Sequence, residues 1–163
     1  MTAALRNATL ALALSFAVLA ARPALASHYA LTEASRLVPP SDAEKLQKAG
    51  VETTEQLLQK AATAKDRKAL AKASGLSVPK LTTLAKHCDL LRVKGVGPEM
   101  VLLLEAAGVK SIADLSKRDA AGLVAAVESA NKGKKITEKL HTEPQLADWI
   151  DQAKKLPPVL DAK

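Results

Sequence analysis

Aromatic side chains are nearly absent from this sequence, which has one Trp, one Tyr and one Phe among 163 residues. Phe16 lies in the N-terminal segment, so Tyr29 and Trp149 are the aromatic residues of the remaining chain. Proteins that bind single-stranded nucleic acid stack successive bases on several aromatic rings. The scarcity of aromatic residues therefore argues against a base-stacking platform.

Cysteine occurs once, as Cys88, so the chain cannot form an intramolecular disulfide. A lone cysteine in an exported protein is either buried as a small apolar side chain or paired between chains. Cys88 follows Leu81, Leu84 and Ala85 at helical spacing, and this pattern favours burial.

Catalytic and metal-binding motifs are also missing. The sequence contains no Gly-x-Ser-x-Gly turn, no His-Glu-x-x-His pair and no Walker loop. The histidines, His28, His87 and His141, are too scattered to predict a metal site. We therefore expect a protein that is not an enzyme and that binds neither a metal nor a cofactor.

The first 26 residues have the pattern of a secretory signal peptide. Arg6 precedes an apolar run over residues 8–21, and Ala24 and Ala26 end the segment in a small-x-small pattern. The run is shorter than the roughly 20 residues that a membrane-spanning helix needs. We predict that residues 1–26 are removed and that residues 27–163 form a single periplasmic or secreted domain without stable membrane insertion. The alternative is an uncleaved anchor.

Basic side chains outnumber acidic ones. Of the 24 Lys and Arg residues, Arg6 and Arg22 lie in the signal segment, so 22 remain against 17 acidic residues, a net charge of +5. This charge suits an anionic partner but is also common in exported proteins. Two groups of basic residues stand out, one on a predicted helix and one in a predicted mobile loop: Lys65, Arg67, Lys68 and Lys72, and Lys132, Lys134, Lys135 and Lys139. Each group is either a solvated surface or a set of phosphate contacts.

The composition and periodicity predict an all-α fold, because no stretch alternates apolar and polar residues long enough for a sheet. Ser41–Glu44 and Thr53–Gln56 match the capping box, and Gly50, Gly75 and Gly108 lie where helices are expected to end. We predict helices over residues 29–37, 42–49, 54–61, 64–73, 78–91, 98–107, 112–117, 120–130 and 143–155.

The chain contains two copies of one pattern, separated by 58 positions. Each copy has a turn, a proline at the first helical position, an apolar helix, a glycine stop, a valine and a hydroxyl cap. The matching pairs are Val38/Val96, Pro40/Pro98, Leu46/Leu104, Ala49/Ala107, Gly50/Gly108, Val51/Val109, Thr53/Ser111 and Leu57/Leu115. We predict two repeats, over about residues 33–90 and 91–156, that share one core in which Trp149 is buried.

The second copy resembles the helix–hairpin–helix motif. Apolar residues end one helix, Gly95-Val96-Gly97 forms the turn, and Pro98 begins a second apolar helix. Glycines let successive backbone N–H groups point to one side, and the helix dipole adds to the resulting anion site. In proteins with this motif the anion is commonly a phosphate of duplex DNA.

The chain as a whole resembles an uncharacterised bacterial family of tandem helix–hairpin–helix proteins, known only as a domain of unknown function. The resemblance rests on the segments 92–97 and 149–156 and covers about residues 33–156. It implies the fold and leaves the activity open.

Two departures from the motif weaken the DNA-binding interpretation. In the first copy Pro39 and Pro40 replace the glycines and have no N–H to donate. In the second copy Glu99 follows the turn, and its carboxylate repels phosphate. The glycines are therefore either an anion site or simply the requirement of two helices that cross tightly.

The sequence leaves two functions open. In the first, an exported non-catalytic module binds the phosphate backbone of duplex nucleic acid without sequence specificity. Its contacts are then the turn residues, the neighbouring cations and the lysine loop: Gly95, Val96, Gly97, Lys94, Arg92, Lys132, Lys134 and Lys135. In the second, an exported scaffolding module binds a protein partner and has lost phosphate binding.

Overall fold

The computed structural model describes residues 29–161 of the protein. The expected signal segment, residues 1–26, lies outside these residues. The described chain forms helices α1 (Pro40–Lys48), α2 (Thr54–Lys60), α3 (Ala64–Ser74), α4 (Val78–Leu90), α5 (Pro98–Ala106), α6 (Ile112–Leu115), α7 (Ala120–Lys134) and α8 (Glu143–Lys155). No strand is present between residues 29 and 161, so the all-α prediction is confirmed.

The predicted helix over residues 29–37 is wrong. This segment forms consecutive turns, in which Val38 N donates to the Ala34 carbonyl at 2.9 Å. Its start pairs with the chain before α2, because Leu31 N donates to the Glu52 carbonyl and Thr54 N donates to the Tyr29 carbonyl. The second of these bonds occupies the Tyr29 carbonyl, which a helix beginning at Tyr29 would use to accept from Glu33 N.

Two predicted helix ends are also wrong. Helix α1 begins at Pro40 and not at residue 42, because Pro39 is its N-cap and the Ser41 side chain makes no capping bond. Helix α7 continues past residue 130 to Lys134, through Gly133. Lys132 and Lys134 therefore lie in the last turn of a helix instead of a mobile loop.

Three other helices begin at a residue whose side chain caps the first turn. Thr53 Oγ1 accepts from Gln56 N, Ser111 Oγ from Asp114 N, and Asp119 Oδ1 from Gly122 N. Each bond satisfies one of the free N–H groups in a first helical turn.

Both halves of the chain contribute to one hydrophobic core. Leu46 and Leu57 from the first half and Leu104 and Leu115 from the second have no exposed surface. Trp149 is 3% exposed, so the prediction that it is buried is confirmed. Cys88 is buried as well, and this burial raises the pKa of its thiol to about 12. An unreactive thiol follows, because only the thiolate is a good nucleophile.

Corresponding contacts recur at positions 58 residues apart. Val51 N donates to the Leu46 carbonyl at 2.9 Å, and Val109 N donates to the Leu104 carbonyl at 2.8 Å. Lys60 Nζ bonds the Gly50 carbonyl, and Arg118 Nη2 bonds the Gly108 carbonyl, both at 2.8 Å. The same kinds of hydrogen bond therefore satisfy backbone carbonyl groups at the C-terminal ends of α1 and α5.

Among the eight helices of residues 29–161, none is both long and apolar enough to cross a lipid bilayer.

Candidate anion-binding site

The turn before α5 is a β-turn from Val93 to Val96. Val96 N donates to the Val93 carbonyl at 3.0 Å, and Gly95, the third residue of the turn, has a φ of +92°. A type II turn requires a positive φ at this position, and glycine adopts it without strain. A Cβ atom on Gly95 would also lie 3.0 Å from Trp149 Nε1. Gly95 is therefore needed for the turn and for its contact with α8.

Gly97 has a different role. Its φ is −97°, which any residue adopts, and a Cβ atom there would lie 3.7 Å from the Tyr29 hydroxyl oxygen. It is the N-cap of α5, and its carbonyl accepts the first helical bond from Val101 N. Within residues 29–161 no acceptor bonds the backbone N–H of Gly95, Gly97 or Glu99. These groups are the donors that an anion would meet at the start of α5.

Two other backbone donors of the turn are already bonded. Lys94 N donates to Gln152 Oε1 at 2.8 Å, and Gln152 Nε2 donates back to the Lys94 carbonyl at 3.3 Å. The Val96 N–H closes the β-turn. Of the three N–H groups that the sequence interpretation assigned to the anion, those of Gly95 and Gly97 remain, whereas that of Val96 is unavailable. The Lys94 side chain is exposed.

Arg92 lies inside the fold, so its predicted contact with phosphate has to be corrected. The residue is 6% exposed; Nη1 bonds Asp89 Oδ1 at 2.6 Å and Nη2 bonds the Pro157 carbonyl at 3.0 Å. Burial raises the pKa of Asp89, and the bond from Arg92 opposes that rise. Arg92 therefore joins α4 to the C-terminal segment instead of facing solvent.

Glu99, which was expected to repel an anion, forms an ion pair with Arg36. Both side chains are about half exposed, and Arg36 Nη1 also bonds the Ile136 carbonyl at 3.3 Å. Sequence reasoning missed Arg36. One signal could have found it, because the 58-residue offset predicted from the sequence aligns Arg36 with Lys94.

A cleft of about 710 Å³ opens beside the start of α5. Its lining residues come from the segment before α1, the start of α5 and the chain around the end of α7: Arg36, Glu99, Asn131, Lys135, Ile136, Thr137, Glu138 and Lys139. Three cations and two carboxylates therefore face the same space. The structure places Lys135 in this cleft, whereas Lys132 and Lys134 are exposed and do not line it.

The chain after α7 is ordered by one side chain. Asn131 Oδ1 accepts from Ile136 N at 2.9 Å and from Thr137 N at 3.0 Å, while its Nδ2 donates to the Thr137 carbonyl. Lys135 adopts the left-handed conformation, with φ of 48°, and ends the helix. These bonds hold the chain that presents Lys135 and Lys139 to the cleft.

The other basic group lies outside this cleft, and one of its four members is buried. Arg67 is 3% exposed and forms an ion pair with Asp161, whereas Lys65, Lys68 and Lys72 are exposed on α3. Between residues 29 and 161, no three His, Cys, Asp or Glu side chains come close enough together to hold a metal ion.

Residues 38–156 match the model of the family described as Domain of unknown function (DUF4332). The chain belongs to this family. No curated protein and no solved structure matches it. The match runs from the buried Val38 to Leu156, directly after α8. It therefore contains the turn before α5 and the cleft residues Glu99, Lys135 and Lys139. Arg36 precedes the match. The description of DUF4332 names no activity, so the function has to be argued from the residues of the cleft.

Proposed function

We propose that this protein is an exported, non-catalytic binding module of tandem helix–hairpin–helix architecture that contacts the phosphate backbone of duplex nucleic acid. The observation that carries this proposal is the common cleft of Arg36, Lys135 and Lys139 beside the start of α5. It lies next to the turn that leaves the N–H groups of Gly95 and Gly97 without acceptors among the described residues.

Backbone donors and cationic side chains act together on a phosphate. The N–H groups at a helix start point at the anion, and the helix dipole favours negative charge there. Arg36, Lys135, Lys139 and the exposed Lys94 side chain supply positive charge around it. Neutralised phosphates release counterions, and this release gives affinity without sequence preference. Glu99 and Glu138 in the same cleft keep the expected affinity low.

The first copy lacks the donors of a phosphate site, so we expect one phosphate site in the protein and not two. Its turn contains Pro39 and Pro40, which have no N–H to donate, and Arg36 from that copy turns to Glu99 of the second. The contacts that recur 58 residues apart support the interpretation of the fold as two related units. In this arrangement the first unit contributes a cation to the second unit's cleft.

The proposal of export rests on the sequence of residues 1–26, with Arg6, the apolar run over 8–21 and the small residues before Ser27. The absence of catalytic motifs from the sequence supports a binding role without catalysis.

A second candidate is a scaffolding module that binds a protein. It is favoured by the contact of Gly95 with Trp149 and by the bonds between Lys94 and Gln152. These contacts account for the turn through packing alone. In addition, Arg36 already pairs with the Glu99 carboxylate, so a carboxylate of the protein takes the role that a bound phosphate would have.

Fluorescence anisotropy with two labelled duplexes of unrelated sequence tests the first candidate. We expect both duplexes to bind equally, with log K falling against log salt with a slope near −2.7 if about three phosphates are neutralised. The double variant Lys135→Gln/Lys139→Gln should flatten the slope by about two. The matched control Lys65→Gln/Lys68→Gln, on α3, should bind like the unmodified protein. Absence of binding at low salt would support the scaffold instead, whereas equal losses in both double variants would show that DNA does not bind through this cleft.

A further inference from the structure

The C-terminal segment, residues 156–161, is held at two points by buried arginines; we name it the C-terminal strap. Near its start, Arg92 Nη2 bonds the Pro157 carbonyl at 3.0 Å. At its end, Asp161 bonds Arg67 Nη2 and Ala64 N, each at 2.5 Å, and Asp161 N donates to the Ala62 carbonyl. The strap therefore runs from the end of α8 to the start of α3. Residues 157–161 lie beyond the part of the chain that matches DUF4332.

A second cavity, of about 650 Å³, lies between the strap and the helices α4, α6 and α8. Its walls are mainly apolar and include Ile112, Ala153 and Leu160. Pockets that bind small molecules usually measure about 300–1,000 Å³ and combine apolar walls with few polar groups. Because the strap forms one wall and is tied at both ends, the cavity suits a small molecule better than a helix of another protein.

Five charged side chains line this cavity, and four of them form ion pairs. Arg67 pairs with Asp161 at 2.5 Å, Asp89 pairs with Arg92 at 2.6 Å, and Lys154 pairs with Asp151 at 3.2 Å. Lys86, on α4, is exposed and lines the cavity. Within residues 29–161 it has no ion-pair or hydrogen-bond partner.

The hydroxyl groups of the cavity are already bonded to the protein backbone. Thr82 Oγ1 donates to the Val78 carbonyl at 2.9 Å, and Ser116 Oγ donates to the Ala113 carbonyl at 3.0 Å. Ser111 Oγ accepts from Asp114 N as the cap of α6. Lys86 is therefore the polar group best placed to select a ligand.

We infer that this cavity binds a small amphipathic anion, with an apolar chain against Ile112, Ala153 and Leu160 and a single carboxylate at Lys86. An apolar chain matches the walls, and one negative charge compensates the one unpaired cation. This site is independent of the phosphate-binding cleft, because the two cavities share no lining residue.

Calorimetric titration of the purified protein with octanoate, octanol and octyltrimethylammonium tests the inference. The three probes share a chain length and differ in charge. We expect octanoate to bind saturably with one molecule per chain, and to bind more tightly than octanol, with octyltrimethylammonium weakest. Lys86→Gln should lower the octanoate affinity about fivefold and leave octanol unchanged, as expected for one partly exposed charge pair.

Two further variants separate the cavity from the rest of the surface. Ala113→Phe places a ring into the cavity from an exposed position of α6 and should abolish binding of octanoate. Its control, Ala121→Phe, adds the same ring to an exposed position of α7 and should bind normally, as should the charge control Lys68→Gln. The inference is overturned if octanoate does not bind saturably, binds no better than octyltrimethylammonium, or binds equally to the Ala113→Phe variant.

Discussion

Arg36 and Glu99 form an ion pair that joins the segment before α1 to the first turn of α5. Glu99 therefore affects the proposed phosphate site in two ways. Its carboxylate repels an incoming phosphate, and it also holds the guanidinium that would otherwise contact that phosphate. Because both side chains are about half exposed, water and salt weaken the pair, and an anionic polymer can compete for Arg36.

Replacing Glu99 by Gln should raise the affinity for duplex DNA. The change removes a negative charge and frees Arg36, so we expect an increase of about three- to tenfold at low salt. Glu99→Lys should bind more tightly still, because it adds a cation at the same place. Fluorescence anisotropy measures both. The control is Ser41→Lys at the corresponding position of the first copy, where Pro39 and Pro40 leave no donors and little gain is expected. Equal affinities for all four proteins would contradict the phosphate-binding proposal.

Gly95 and Gly97 should differ in their tolerance of a methyl group. Gly95→Ala places a side chain at φ of +92° and 3.0 Å from Trp149 Nε1, and we expect a loss of about 1–2 kcal/mol in the free energy of unfolding. Gly97→Ala meets neither obstacle and should cost less than Gly95→Ala, about 0.5 kcal/mol, because alanine is a poorer N-cap than glycine. Urea unfolding followed by Trp149 fluorescence gives both values. A tolerated Gly95→Ala would show that the tryptophan contact does not require glycine.

Gly122 and Gly133, both on α7, should respond to alanine in opposite directions. Gly133 has open space around a new Cβ atom and a helical backbone, so Gly133→Ala should stabilise the protein by about 0.5–1 kcal/mol. At Gly122 a Cβ atom would lie 2.7 Å from Asp119 Oδ2, and the cap of α7 would be displaced. Gly122→Ala should therefore cost about 0.5–2 kcal/mol. Thermal unfolding of the two variants compares them directly. Stabilisation by both would disprove the capping role of Asp119.

His87 should make the protein less stable as the pH falls. Burial lowers the pKa of His87 below its ordinary value of 6.5, although Glu105 Oε2, 3.2 Å from Nε2, opposes that shift. The unfolded chain then takes up the proton more readily than the folded chain. The stability contributed by His87 is complete above pH 6.5 and is lost as the pH falls through the lower pKa of the folded state.

Urea unfolding between about pH 7.5 and about pH 5 tests this dependence. His87→Gln should give a flatter decline of the unfolding free energy than the unmodified protein. Some decline should remain, because burial and Lys139 lower the pKa of His141 as well. An unchanged slope in the His87→Gln variant would show that His87 does not contribute.

Short-range chemistry made much of this fold predictable from the sequence. Thr53 and Ser111 cap helices through N–H groups three residues away, and Gly50 and Gly108 end helices because they accept a positive φ. The apolar stripe around Trp149 predicted its burial. Each of these features depends on residues within one or two helical turns, so the local sequence contains the information.

The three-dimensional arrangement decided the environment of the arginines. Arg92 lies near glycines in sequence, yet Asp89 and the Pro157 carbonyl hold it inside the protein. Arg36 is far from Glu99 in sequence and meets it only because the segment before α1 packs beside the start of α5. A charged side chain has the same local pattern whether it is exposed or paired, and its partner is set by chain packing over long separations. The sequence by itself therefore determined the all-α fold, the position of most helices, the caps at Thr53 and Ser111 and the burial of Trp149. The tertiary structure decided how residues 29–37 pair and which cations reach the cleft, because both depend on contacts between distant parts of the chain.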